Sequence, residues 1–113
     1  MNTTNQEKEP FLISLYNTIP EYVSYQNSEL AYALLSLRDL CLVSGTEENF
    51  KLELKKSVSV EAAVLKDFYG EAKLVPRPLK VFYDILFGPV DNLPLYINDE
   101  GYEIIANFRL TYL

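Results

Sequence analysis

The chain has 113 residues, 49% of them hydrophobic and 23% charged, with 10 Lys and Arg against 16 Asp and Glu and a net charge of -6. That length holds one core and no more, and the apolar share is too high for a wholly disordered chain. There is no His, no Trp and one Cys. Ser-His-Asp and Cys-His catalysis, His-based zinc or haem sites and an internal disulfide are therefore excluded within the chain.

The first nine residues are polar and mixed in charge, and read as a flexible tail before a single domain over 10–113. They lack the basic start and apolar run of a signal peptide. No stretch reaches the ~18 apolar residues of a membrane span. The expectation is an intracellular, cytoplasmic protein that makes no use of a membrane.

Pro10 suits the first turn of a helix, where its missing N–H does no harm. Phe11, Leu12, Leu15, Tyr16 and Ile19 then share a face, and Pro20 stops the element. Residues 21–27 are a connector or a short turn. A second helix is predicted over 29–43, with Ser28 as its cap and Glu29 at the positive end of the dipole. Leu30, Ala33, Leu34, Leu37, Leu40 and Cys41 recur at helical spacing. Cys41, in an apolar run, reads as a buried, inert thiol. Ser44 and Gly45 end the helix.

After a polar turn at 46–49 the period changes. Phe50, Leu52, Leu54, Lys56, Val58 and Val60 alternate with polar residues, which favours a half-buried strand. The competing reading is a helix starting at Thr46, because Lys, Glu and Leu are good helix formers. A short helix over 60–69 follows, capped by Ser59 and ended by Gly70. Residues 79–87 fit either state, and the punctuation of Pro78 and of Gly88-Pro89 favours helix, with Lys80 and Asp84 as an i,i+4 pair.

The C-terminal part reads as β. Leu93 to Ile97 contains Pro94 and would lie at a sheet edge. Residues 98–101 form a turn, and 102–112 alternate as a long strand, so that a hairpin closes the chain. The expected fold is α+β, with N-terminal helices packed on a small antiparallel sheet that ends in this hairpin.

Sites are sparse. Gly45, Gly70, Gly88 and Gly101 are too scattered for a phosphate-binding loop. A calcium loop with Gly101 at its sixth position would need Tyr96 and Asn107 as ligands, which rules it out. The adjacent acids Glu47-Glu48 and Asp99-Glu100 read as solvated turns. No cofactor, metal or catalytic residue is assigned. Residues 51–80 carry seven cations against four acids, while 1–50 carry two against seven and 81–113 one against five. The basic middle is either a patch or a solvated face. Overall acidity argues against a nucleic-acid binder and permits docking on a basic partner.

Tyrosine is the unusual residue, at 9 of 113, and it is favoured at interfaces. Tyr16, Tyr22, Tyr25 and Tyr32, with Ile105 and Leu113 on the uncovered face of the terminal strand, form the expected contact surface. The function expected is a non-enzymatic interaction protein, a homodimer or an accessory subunit. One alternative is a domain that binds a small ligand or an enzyme's substrate, with Tyr and a buried carboxylate, Asp67 or Asp84, supplying polarity. Another is an acidic inhibitor that mimics nucleic acid.

Overall fold

The computed structural model describes residues 10–21, 28–70, 77–99 and 101–112. Among them every regular element is helical, which overturns the α+β expectation. The order is α1 (Pro10–Thr18), α2 (Ser28–Val43), α3 (Glu47–Tyr69), α4 (Pro78–Phe87), a 3-10 turn (Val90–Asn92), α5 (Leu93–Ile97) and α6 (Tyr102–Tyr112).

The first corrections concern α3. Thr46 opens this helix: its side chain accepts from the Asn49 N–H at 3.0 Å, and Glu47 and Glu48 fill the first turn. The Asn49 side chain also donates to the Ser44 carbonyl at 2.8 Å, binding the end of α2 to the start of α3. Gly45, at φ +80°, takes the left-handed turn between them. The helix then runs 23 residues without a break. The strand expected at 50–60 is its first half, and Ser59 lies in its interior rather than at a cap. Phe50, Leu54 and Val58 satisfy the alternation, yet they are four apart and equally satisfy a helical face. Phe50 and Leu54 are fully buried, whereas Leu52, on the same side of the hypothetical strand, is exposed.

The terminal hairpin is also replaced by helices. Pro94 stands in the first turn of α5, where proline is as welcome as at a sheet edge. In α6 the buried residues are Ile105, Ala106 and Phe108, with Tyr102 half-buried on the same side. Seven of the eleven positions from 102 to 112 are apolar, including the adjacent Ile104, Ile105 and Ala106, so two-residue alternation could be drawn through them without being the true period. Ile105, expected on an uncovered sheet face, is 0% exposed at the centre of the core. Gly101, at φ +90°, brings the start of α6 hard against α2: a Cβ there would strike the Leu30 side chain.

The core is shared by all the helices. Leu12, Leu15 and Ile19 from α1 and its end meet Leu34, Leu37 and Cys41 from α2, Phe50 and Leu54 from α3, Phe82 and Ile85 from α4, Leu93 from α5, and Ile105 from α6. Phe11 joins four rings at its rim. Its ring lies 5.7 Å from Phe50, 6.1 Å from Phe87, 5.6 Å from Phe108 and 5.7 Å from Tyr112, mostly edge-to-face. One polar tie supports this packing. Arg109 of α6 donates to the carbonyls of Ile85 at 2.6 Å and Gly88 at 3.0 Å, supplying donors to the C-terminal end of α4.

Phe11 thus links α1 to α3, α4 and α6 at once. Phe11→Ala is expected to cost about 3–5 kcal/mol of unfolding free energy, as for other buried aromatics. Urea denaturation followed by far-UV circular dichroism measures it, and the native spectrum should be helical throughout.

Candidate functional site

The helical hairpin of α2 and α3 is open along one side. A groove of about 670 Å³ lies between them and is closed at one end by the start of α4. Tyr32, Ala33 and Ser36 of α2 form one wall, Ser57, Val60, Val64 and Phe68 of α3 the other, and Leu65, Pro78 and Leu79 contribute where α4 meets α3. Four of these apolar side chains are largely in solvent: Tyr32 at 74%, Val60 at 62%, Val64 at 45% and Phe68 at 79%. Val60, Val64 and Phe68 stand four residues apart, one turn after another, so they make a continuous strip. Contiguous exposed apolar surface rimmed by charge marks an interaction site more often than scattered single residues do.

Glu61 is the polar group where α3 meets α4. Its carboxylate accepts from the backbone N–H of Leu79 at 3.1 Å and of Lys80 at 3.4 Å, in the first turn of α4. Pro78 occupies the first position of that helix and has no N–H to offer, so the carboxylate takes the next two donors. Burial pushes the Glu61 carboxyl above its ordinary value, the two backbone donors and Arg77 pull it down, and the Glu29 charge adds to the rise. Tyr102, on α6, feels the same charge. Desolvation, then Glu61, Asp99 and Tyr96, push its phenol up to about 12, so it stays a neutral hydroxyl. Its ring rests edge-on against Phe82 at 5.5 Å.

Of the residues expected to form a contact surface, Tyr32 is the only described one that lines the groove. Tyr16 is half-buried beneath the Arg38 guanidinium, 4.0 Å from the ring centre, on the α1–α2 side. Ile105 is in the core. Tyr22, Tyr25 and Leu113 lie outside the described residues. Of the carboxylates considered for a ligand pocket, Asp67 is exposed and Asp84 pairs with Lys80, both oxygens at 2.8 Å. The lysines of the basic middle are dispersed: Lys56 pairs with Glu53 at 3.0 Å, and Lys51 lies 5.3 Å from the Phe87 ring. Cys41 is buried, as its apolar run implies.

The sequence does not single out the groove residues Val60, Glu61 and Val64 when 46–69 is divided into a strand and a helix, and Glu29 has there only the role of complementing the α2 dipole. Read as one helix, that segment carries the 50-54-58 core face and a second apolar strip at 60-64-68 beside it. A stripe that wide asks for covering on two sides. Among the described residues no three His, Cys, Asp or Glu side chains converge as a metal site requires, and no helix is long and apolar enough to cross a membrane.

The Glu61 shift fixes a sign. A carboxyl whose pKa is raised on folding holds its proton more tightly in the folded state. Its ionised form therefore costs stability above the folded pKa, and the cost is relieved as pH falls toward 4.5. As pH falls through the folded pKa toward 4.5 the stability of the wild type should rise relative to Glu61→Gln, measured by urea denaturation of both proteins at each pH. At every pH Glu61→Ala, which also lacks an acceptor for the first turn of α4, should be about 1 kcal/mol less stable than Glu61→Gln.

Comparison with known protein families, with characterised proteins and with solved structures gives no match, so the groove is interpreted from its own residues.

Proposed function

We propose that this protein is a protein-interaction module whose α2–α3 groove receives a helical segment of a different protein, acting by docking rather than by a chemical step. The observation that carries the reading is the apolar strip of Tyr32, Val60 and Val64, left in solvent beside the core face of the same hairpin, where Leu34, Leu37, Phe50 and Leu54 are fully buried. The groove wall from Glu53 to Phe68 is about 22 Å long at 1.5 Å per residue, which matches a four-turn helix laid alongside it. Charge complementarity favours a different protein over a second copy. Glu29, Glu53 and Glu61 line the groove against Lys56, and a second copy would bring another net charge of -6 to an acidic rim. A cytoplasmic setting, with the one thiol kept reduced and buried, belongs to the same proposal.

The test places a photo-crosslinking amino acid at Val60 of the full chain in cells of the native host. The expected product is a defined adduct to another protein, mapped by mass spectrometry to one amphipathic helical segment. Val64→Asp should abolish it. Because Val64 is a surface residue, that substitution should change stability by no more than about 0.5 kcal/mol. An adduct between two copies, with twice the 13.0 kDa chain mass in light scattering, would assign the groove to self-association instead. A small molecule retained in native mass spectrometry and lost in Val64→Asp, or an adduct indifferent to that substitution, would equally overturn the reading.

A further inference from the structure

The charges of the groove are unevenly placed along it. α2 and α3 run antiparallel through the tight turn at 44–46, so Ser36 faces the Glu53 end and Glu29 faces the Glu61 end. At the first end Glu53 is neutralised by Lys56 at 3.0 Å. At the second, Glu29 from α2 and Glu61 from α3 both line the groove; the Glu29 charge disfavours ionisation of Glu61, and the Arg77 guanidinium favours it more strongly. Glu29 is exposed, and the Glu61 oxygens are already engaged by the first turn of α4. The groove is therefore apolar along its middle and near neutral at one end, while the end that α4 closes carries two carboxylates against the one Arg77 guanidinium. A ligand that buries the apolar strip must also desolvate these two carboxylates, which is unfavourable unless it brings a cation to them.

Resting on the docking reading above, we infer that the docked segment is a cationic amphipathic helix. Its apolar face seats on Tyr32, Val60 and Val64, and a Lys or Arg near one end is directed at Glu29 and Glu61. An Arg suits the site particularly well, since its fork can reach two carboxylates while its stem lies on apolar side chains. The charge of the whole chain, -6, steers such a helix toward the protein before contact is made. The same acidic end repels phosphate-rich surfaces, so neither a nucleic acid nor an anionic bilayer fits the groove.

The experiment uses three synthetic amphipathic peptides of about 16 residues, with one shared Leu face and a polar face of Lys, Gln or Glu. A scrambled Leu/Lys peptide without a continuous apolar face is the fourth probe. Each is titrated into the full-length isotope-labelled protein, and binding is followed by amide chemical shifts and fluorescence anisotropy. The Leu/Lys helix should bind most tightly, move the amides of Ala33, Ser57, Val60 and Val64, and weaken roughly tenfold when salt rises from about 50 to about 500 mM. Glu29→Gln, on an exposed residue outside the core, should weaken it about two- to fivefold, as for a single solvent-accessible ion pair. The Leu/Glu helix should not occupy the groove. If the Leu/Gln helix binds as tightly as Leu/Lys and Glu29→Gln has no effect, the cation preference is wrong while groove docking stands. If no amphipathic peptide moves the groove amides, docking itself is wrong. Equal binding by the scrambled peptide would reduce the effect to bulk charge and overturn the inference.

Discussion

Helix α3 is longer than the core it packs on, and the arrangement of the molecule around it follows from that mismatch. Its first half is committed: Phe50 and Leu54 are fully buried, and Val58 packs beside them. Beyond Val58 the same helix continues to Tyr69 with Val60, Val64 and Phe68 largely in solvent. A helix end with so little burial would ordinarily fray, since isolated helical turns are marginal in water. Two contacts hold it. The start of α2 lies along one side through Ala33, and Glu61 grips the first turn of α4 on the other. The groove is the space these contacts leave between them.

Glu61 has two roles that pull in opposite directions. As a cap it satisfies backbone donors that Pro78 cannot help to organise, and an ionised carboxylate does this better than a neutral one. As a half-buried group beside Glu29 and near the Tyr102 ring it is disfavoured in that same ionised form. Burial wins, and the carboxyl sits above its ordinary value. A carboxylate held this way, with donors already engaged on one side and apolar surface on the other, leaves its remaining charge facing the groove. The joint between α3 and α4 and the polarity of the candidate site are therefore one feature.

How much of this was legible depended on punctuation rather than on periodicity. Helix α1 is announced by Pro10, α2 by Ser28 and by Gly45 after its end, and α4 by Pro78 and Gly88; all three were found where the sequence places them. The long helix was divided because Phe50, Leu54 and Val58 belong to both a two-residue and a four-residue repeat. Thr46, which decides the matter by capping Asn49, looks like an ordinary turn residue until the helix exists. Pro94 and Gly101 punctuate a hairpin as readily as a helix pair, since proline suits a first turn and glycine a positive φ. The candidate site followed the same pattern. Tyr32 was singled out as an interfacial tyrosine, but Val60 and Val64 acquire meaning only when the segment is seen as one continuous helix beside α2.

The energetics of the groove limit what it can do. Covering a Val or Phe side chain completely contributes about 1.5–3 kcal/mol, and the strip of Tyr32, Val60, Val64 and Phe68 is already covered in part. The gross apolar gain is therefore of the same order as the estimated 4–15 kcal/mol lost in immobilising two molecules against each other. Apolar contact alone leaves a weak complex. What remains to set affinity is whether the incoming segment is already helical, so that little entropy is lost on docking, and whether its charge matches the acidic end. Both are properties of the partner. A groove of this kind suits a reversible interaction that discriminates by charge pattern, and it agrees with a molecule that stabilises itself elsewhere, through Phe11 and the rings around it.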